Sequence, residues 1–189
     1  MRARFAHLGF TLIELMVVLA VLAILATVAI PSFMDFRERA ALRGAGDQFV
    51  AFWANAKLEA LKRNSNLTVT IQQSGDSFCL GATTGGATCN CLTSTTSCAV
   101  SQFPSNQSEW RGVTMVGAPT LGSVGAATID PKRGYLTAAG DDGGATVQSP
   151  GNNRFRLRFY VDRWGRPYLC APTDSPQTLS DYSTRTCAP

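Results

Sequence analysis

The most prominent pattern in the chain is an apolar run of 21 residues at positions 10–30. At about 1.5 Å per residue, a helix of that length extends about 30 Å, which matches the hydrocarbon thickness of a membrane. The run contains one carboxylate, Glu14, and a charge in such a segment is costly and marks a functional position. Arg2 and Arg4 precede the run and place its leading residues on the cytoplasmic side. We therefore predict a transmembrane helix that carries a functional acid.

The helical pattern continues beyond Pro31, which is expected to kink the helix because proline has no amide hydrogen for the preceding turn. Apolar residues then recur at three- and four-residue steps, which predicts an amphipathic continuation over residues 31–63 with one face against a sheet. Gly44 and Gly46 each cost about 1 kcal/mol relative to alanine and predict a locally weak helix between Ala40 and Asp47. The stripe consists of Leu42, Ala45, Phe49, Phe52 and Ala56, and Trp53 on the adjoining face is interpreted as a core or subunit contact.

Beyond residue 66 the apolar period changes from about 3.6 to 2, which predicts strands. The first two strands form a hairpin around a Gly75-Asp76 turn. Polar, glycine-rich stretches at 83–108 and 138–153 are interpreted as surface loops. The strand candidates are residues 67–72, 78–82, 112–116, 126–129, 135–137, 155–161 and 167–171. These elements predict an α+β fold, in which a long N-terminal α-helix packs on an antiparallel β-sheet within a β-rich globular domain at residues 64–189.

The residues around the acid carry a resemblance to a known family. The order Gly9-Phe10-Thr11-Leu12-Ile13-Glu14-Leu15-Met16-Val17, after a short basic leader, resembles the processing signal of type IV pilin-like proteins. The resemblance implies that a prepilin peptidase removes residues 1–9 by cutting after Gly9 and methylates the new amino terminus of Phe10. It also implies that Glu14 pairs with the amino group of a neighbouring subunit in a helical filament.

Two other interpretations of the N-terminal segment were weighed. A plain single-pass anchor would fit the length of the run but would leave Glu14 unexplained. A conventional secretory signal peptide would use a small-residue cleavage site between Ala23 and Ala29, but the apolar run is longer than the usual 7–15 residues and is interrupted by the acid.

The order of elements in the globular domain narrows the resemblance. One long helix, an early hairpin and the segment Ile129-Asp130-Pro131-Lys132-Arg133-Gly134-Tyr135-Leu136 are similar to the GspH/FimT/FimU branch of minor pilins and pseudopilins. A later strand with Gly165-Arg166 ahead of Cys170 belongs to the same pattern. The cysteine-rich stretch from Cys79 to Cys98 matches no family pattern.

The composition argues against an enzyme. The only histidine, His7, lies in the leader, so the processed chain has no Ser-His or Cys-His mechanism and lacks the commonest nitrogen ligand for metals. Loss of Arg2 and Arg4 with the leader lowers the formal charge from +4 to +2. The acids Asp130, Asp141 and Asp142 are interpreted as turn residues. We expect no cofactor and no metal.

The six cysteines are even in number and follow the membrane segment, so disulfides are the expected state. Loop closure favours Cys170 with Cys187. A bridge within Cys89-Asn90-Cys91 would be strained, so these two cysteines pair with Cys79 and Cys98 in one of two orders. A four-thiolate zinc site is the rival interpretation, but it lacks the usual short Cys-x2-4-Cys arms.

The strand at 154–161 places arginines on one face and apolar residues on the other. The arginines are Arg154, Arg156 and Arg158, and Arg163, Trp164 and Arg166 follow them. Such a stripe suits a phosphate backbone, but a solvated face or a contact with a neighbouring pilin is the commoner explanation. Some FimT-like proteins bind DNA through a Gly-Arg-x-Arg motif. Here the segment is Gly165-Arg166-Pro167-Tyr168, and the second arginine is missing.

Together these features predict a minor pilin that helps to start type IV pilus assembly or forms part of the tip complex. The alternatives are a minor pseudopilin of a type II secretion system and a DNA-binding minor pilin for natural transformation. The expected partners are major and minor pilins, the prepilin peptidase and N-methyltransferase, and the inner-membrane assembly platform. The expected location is the inner membrane with a periplasmic globular domain, and then the pilus at the cell surface.

Overall fold

The computed structural model describes residues 10–93, 97–104, 107–151, 154–177, 179–182, 185 and 187. The chain forms two compact units, of which the first ends at Arg37 and the second begins at Glu38. We call the second unit the head.

The single α-helix of the described residues, α1, is Leu12–Arg63. Lys62 and Arg63 lie in its last turn, where positive charge complements the negative end of the helix dipole. Asn64 adopts a left-handed conformation with φ of 47°, which ends the helix, and the Ser65 amide donates to the Ala60 carbonyl. The helix is continuous through Gly44 and Gly46, so the expected weakness between Ala40 and Asp47 does not interrupt it.

In the described part of the head, eight strands form two four-stranded antiparallel sheets. The first sheet has the order β3-β2-β1-β5, and the second has the order β4-β6-β7-β8. The strands are β1 Leu67–Ser74, β2 Ser77–Thr84, β3 Ser101–Phe103, β4 Thr114–Val116, β5 Ala126–Ile129, β6 Gly143–Gln148, β7 Arg156–Val161 and β8 Pro167–Cys170. Short 3-10 helices lie at Gln107–Trp110 and Ser180–Tyr182. The predicted α+β class is confirmed, although the helix meets two sheets rather than one.

Two strands lie in stretches that we had interpreted as loops. The short β3 lies within 83–108, and β6 lies within 138–153 and is an inner strand of its sheet. The sequence of β6 begins with Gly143-Gly144, and a Cβ at Gly144 would collide with the carbonyl of Phe159 on β7. The glycines that suggested a loop therefore serve close strand pairing. The candidate strand at 135–137 is wrong, since only Leu136 makes an isolated bridge, to Ile129.

The core of the head is one cluster that combines the helix stripe with residues from both sheets. The predicted stripe is buried, and Trp53 is fully buried beside it. Phe49 stacks on Phe159 of β7 with ring centroids 4.0 Å apart. The Trp53 indole donates to the Gly165 carbonyl at 3.1 Å, and the Lys57 ammonium donates to the same oxygen at 3.1 Å. These two donors fix the turn after β7 to the helix.

Three disulfides cross-link the head. Cys170 pairs with Cys187, and the residues between them include Asp181, which forms an ion pair with Arg43 of α1. The bridge and the ion pair together tie the C-terminal segment to β8 and to the helix. The other two bridges, Cys79–Cys91 and Cys89–Cys98, lie next to each other against β2. The expectation of disulfide-tied loops is confirmed.

Candidate functional site

The first unit is a helix with its apolar side chains uncovered. Phe10 is 86% exposed, and bulky apolar side chains are exposed on every side of the helix as far as Phe36. They are Phe10, Leu12, Ile13, Leu15, Met16, Val17, Val18, Leu19, Val21, Leu22, Ile24, Leu25, Ile30, Phe33, Met34 and Phe36. A helix that is apolar all round needs lipid or other protein around it.

Membrane spanning rests on length and composition alone. Within the described residues no single helix meets the criteria for a span, but Leu12–Thr27 and Ser32–Arg63 meet them together as a bent pair. The bend lies at the break between Thr27 and Ser32, which is the neighbourhood of Pro31.

Glu14 lies in the first turn of α1 with an exposed side chain. Its backbone amide donates to the Thr11 hydroxyl at 3.2 Å, and the Leu15 amide donates to the Thr11 carbonyl at 3.2 Å. Thr11 is therefore the N-cap of the helix, and Glu14 holds the third helical position, where a carboxylate also complements the helix dipole. The sequence signal for this cap was the spacing Thr11-x-x-Glu14, which sequence analysis had not used.

Of the predicted processing and assembly residues, the structure shows Phe10 and Glu14. Gly9 and the rest of residues 1–9 lie outside the described residues. For Pro31 only the backbone is described, and it lies within α1.

At the start of the head, a carboxylate is buried between the helix and the second sheet. Glu38 is 6% exposed and accepts a hydrogen bond from the Ser149 hydroxyl at 3.2 Å. The Arg154 guanidinium lies 3.5 Å from the other Glu38 oxygen, and the Phe155 amide donates to the Ser149 hydroxyl at 3.3 Å. Sequence analysis had grouped Arg154 with an exposed stripe, but in the structure it is a partner of Glu38.

The arginines of β7 have intramolecular partners as well. Arg156 pairs with the Asp174 carboxylate at 2.5 Å and also donates to the Asp174 carbonyl. Arg158 donates to the Thr120 hydroxyl at 3.3 Å and lies over the Tyr160 ring, 5.7 Å from its centroid. The predicted alternation of β7 is present, because Leu157 and Phe159 are buried and the arginines are half-buried.

By alternation Tyr160 shares the face of Arg156 and Arg158, but unlike these arginines it is buried. Its hydroxyl donates to the Asp142 carboxylate at 2.6 Å. Burial, and then this hydrogen bond, raise the pKa of Tyr160 to about 12. The face of β7 that carries Arg156 and Arg158 therefore ends at a buried tyrosine that is hydrogen-bonded to a carboxylate.

Beyond β7, Arg163 and Arg166 lie on the turn that the helix holds. Arg166 forms an ion pair with Asp162 at 2.7 Å, and the Asp162 carboxylate also accepts the backbone amides of Trp164 and Arg166. The Arg163 guanidinium lies 5.3 Å from the centroid of the Trp164 ring. Trp164 is 46% exposed and meets Tyr135 edge to face at 5.1 Å. Three of the five arginines, Arg154, Arg156 and Arg166, therefore have carboxylate partners within the head.

Cys79 of β2 and three cysteines of the segment between β2 and β3 form two adjacent bridges. The Cα atoms are 5.9 Å apart in Cys79–Cys91 and 5.1 Å apart in Cys89–Cys98. Of the two pairing orders left open by the sequence, this is the one in which Cys79 joins Cys91. A Cβ built on Gly81 of β2 would collide with the Cys98 sulfur, so a glycine at this position lets the bridges lie on the strand.

The comparisons with known proteins concern the N-terminal segment. The model of the family described as Prokaryotic N-terminal methylation motif matches residues 4–30. No curated protein and no solved structure shows a significant match to the chain.

The matched residues contain Gly9, Phe10 and Glu14, and most of them lie in the exposed apolar helix. The motif implies processing by a prepilin peptidase and assembly with other pilins, and it is consistent with anchoring in the inner membrane before assembly. The chain therefore carries a prokaryotic type IV prepilin-like N-terminus, which supports a type IV pilin-like protein of a pilus or a pseudopilus.

Proposed function

We propose that this protein is a minor pilin of the GspH/FimT/FimU type, which is incorporated into a type IV pilus and primes its assembly or contributes to its tip. The observation that carries the proposal is the methylation motif at residues 4–30, joined to a helix whose apolar side chains are exposed. The disulfide-linked head supports an exported location, because such bridges persist in oxidising compartments.

In the proposed mechanism, the peptidase cuts after Gly9 and methylates the amino group of Phe10. The exposed helix holds the precursor in the inner membrane and then packs among the helices of other pilins. There the Glu14 carboxylate of one subunit pairs with the Phe10 ammonium of another. Because neighbouring apolar helices exclude water, an unpaired charge is costly, and the pair sets the register of the incoming subunit.

A pair of variants tests the role of Glu14 in assembly. Glu14→Ala should leave membrane insertion and leader cleavage intact but strongly reduce the amount of the chain in sheared filaments. Thr11→Ala is the matched control, because it removes the helix cap while keeping the carboxylate. Equal losses in the two variants would mean that Glu14 acts as part of the helix cap, and full incorporation of Glu14→Ala would refute the charge-pair mechanism.

Cleavage after Gly9 has its own test. Gly9→Leu should leave the leader attached and the protein in the membrane, because a bulky side chain at the cut site blocks the peptidase. Normal maturation of this variant would contradict the assigned cleavage site.

A minor pseudopilin of a type II secretion system would share the N-terminal motif, so a gene deletion must separate the two machines. We expect the deletion to abolish filaments and twitching while secretion of exported enzymes stays unchanged. The intact gene should restore both filaments and twitching. Loss of secretion with filaments and twitching unchanged would assign the protein to a pseudopilus instead.

We do not extend the proposal to DNA binding. Arg154 and Arg156 are paired with Glu38 and Asp174, and Arg166 is paired with Asp162, so nearby carboxylates offset the positive charge that a phosphate backbone would meet at these positions.

A further inference from the structure

A polar cleft lies beside the disulfide bridges of the first sheet. Its volume is about 480 Å³, which is within the usual size range of small-molecule sites. One wall is the end of the β1–β2 hairpin, and the other is the segment that follows Cys89. The described residues that line the cleft include Gln72, Ser74, Ser77, Asn90, Leu92 and Thr93.

Both walls of the cleft are fixed by covalent and hydrogen bonds. Asn90 stands between Cys89 and Cys91, and each of these cysteines is bridged to a different partner. The Asn90 amide donates to the Ser97 hydroxyl at 2.7 Å, and the same hydroxyl donates to the Asn90 carbonyl at 2.7 Å. A ligand would therefore meet a preorganised surface, which lowers the entropic cost of binding.

Two carboxamides of the lining are held in one orientation by backbone bonds. The Gln72 Oε1 accepts the Cys91 amide at 2.9 Å, and the Asn90 Oδ1 accepts the amides of Leu92 and Thr93 at 3.1 Å. Because both side-chain oxygens are used in this way, the Gln72 Nε2 and the Asn90 Nδ2 remain as donors. Among the described residues, neither nitrogen has an intramolecular acceptor.

The chemistry of the lining selects one class of ligand. The described lining residues carry no charged side chain, so they offer no counter-charge to a nucleic acid or an acidic glycan. Among them Leu92 is the one bulky aliphatic side chain, which is too little for an apolar ligand. Amide donors and the hydroxyls of Ser74 and Ser77 match the donors and acceptors of sugar hydroxyl groups, while Leu92 suits the C–H face of a sugar ring. We propose that this cleft binds a neutral carbohydrate. The proposal does not depend on the filament role.

The test uses the full-length chain in a detergent whose head group contains no sugar, such as lauryldimethylamine oxide. Binding is measured on an array of neutral oligosaccharides built from hexoses and N-acetylhexosamines. Polygalacturonate and an uncharged Gly-Ser peptide are placed on the same array for comparison. We expect saturable binding to at least one neutral oligosaccharide and none to the two comparison probes.

Two substitutions remove the proposed donors while keeping the structural bonds. Gln72→Glu and Asn90→Asp each retain the oxygen that accepts backbone amides and lose the carboxamide nitrogen donor. Each should weaken sugar binding about fivefold or more, in line with the loss of a hydrogen bond. Asn55→Asp on the exposed face of α1 makes the same chemical change away from the cleft and should leave binding unchanged.

The carbohydrate site is supported if Asn55→Asp retains binding, the two cleft variants bind more weakly, and the unfolding midpoints of all variants are unchanged. Failure to bind any neutral oligosaccharide, binding only to polygalacturonate or to the peptide, or equal binding by all variants would overturn it.

Discussion

Two glycines on the head part of α1 are two residues apart but face different surroundings. Gly44 is exposed, and a Cβ built on it would meet no atom within 4 Å. Gly46 is buried, and a Cβ built on it would lie 2.8 Å from a methyl of Leu169 and 2.9 Å from a methyl of Leu157. Both leucines are themselves buried in the core, so their methyl groups have little room to move. The same substitution should therefore stabilise the head at Gly44 but not at Gly46.

The magnitudes follow from helix propensity and from packing. Replacing an interior helical glycine with alanine stabilises a helix by about 1 kcal/mol, so Gly44→Ala should raise the free energy of unfolding of the head by about that amount. At Gly46 the same gain is offset by overpacking, which costs about 1–3 kcal/mol in a well-packed core. Gly46→Ala should therefore be less stable than Gly44→Ala by about 1–3 kcal/mol.

Urea unfolding of the full-length chain in detergent measures this difference. Tryptophan fluorescence reports on the head, because Trp53, Trp110 and Trp164 all lie within it. The disulfides must remain oxidised so that the three proteins share one unfolded reference state. If Gly46→Ala unfolds at the same or a higher urea concentration than Gly44→Ala, the close packing of α1 on Leu157 and Leu169 is refuted.

Three further variants of the head test individual contacts. Glu38→Ala should lower the free energy of unfolding by about 2 kcal/mol in urea titrations, because it removes the buried carboxylate that bonds Ser149 and Arg154. The pKa of Tyr160 lies near 12 in the folded head, above its usual value of 10, so the folded head keeps the tyrosine proton at pH values where the unfolded chain loses it. The free energy of unfolding of the wild-type head should therefore fall as pH rises from about 10 to about 12. Tyr160→Phe should flatten that decline. Trp53→Phe should cost about 1–3 kcal/mol, because it removes an indole donor from a buried hydrogen bond, and should shift the thermal midpoint accordingly.

The Glu38 variant has a matched control, and each of the three predictions has an outcome that would contradict it. Glu59→Ala removes a half-exposed carboxylate that pairs with Lys62 and Arg63, and it should leave the urea midpoint nearly unchanged. A loss as large as that of Glu38→Ala would mean that burial does not decide the effect. For the tyrosine, an unchanged alkaline decline in the phenylalanine variant would assign that decline to other groups. For the tryptophan, a thermal midpoint equal to that of the parent would show that the indole bond contributes nothing.

The helix and the hairpin could be predicted because their patterns are strong and local. The stripe of α1 keeps one face over several turns, and the structure buries it. The alternation around Val69 and Ile71, ahead of a Gly-Asp turn, predicted the strand β1 and the hairpin, although the structure also buries Thr68 and Thr70 on the other face of β1. Local periodicity suffices where one face of an element meets the core.

The strand β6 could not be predicted, because what makes it a strand lies outside its own sequence. Gly143 and Gly144 look like loop residues, but they allow close approach of Thr120 and Phe159 from other segments. The pairing is decided by long-range contacts, which a local pattern does not contain. The same reason explains why β3 was not predicted, because its three residues form a strand by pairing with β2.

The candidate site was predictable to a different degree at each position. Glu14 stood out because a charge within an apolar run is rare. The role of Thr11 as the N-cap of α1 could be predicted from the spacing Thr11-x-x-Glu14. The partners of the β7 arginines were not readable, because Asp174 is 18 residues from Arg156 and Glu38 is more than 100 residues from Arg154. An alternating strand pattern indicates which face a charge lies on, but not which opposite charge reaches it.

Processing of the chain as a prepilin and its entry into a surface filament are tested together by mass spectrometry of filaments sheared from the cell surface. We expect the chain in the filament fraction, with Phe10 as its first residue and one methyl group on its amino group. Absence of the chain from that fraction, or its presence there with the leader still attached, would refute the proposed processing and assembly.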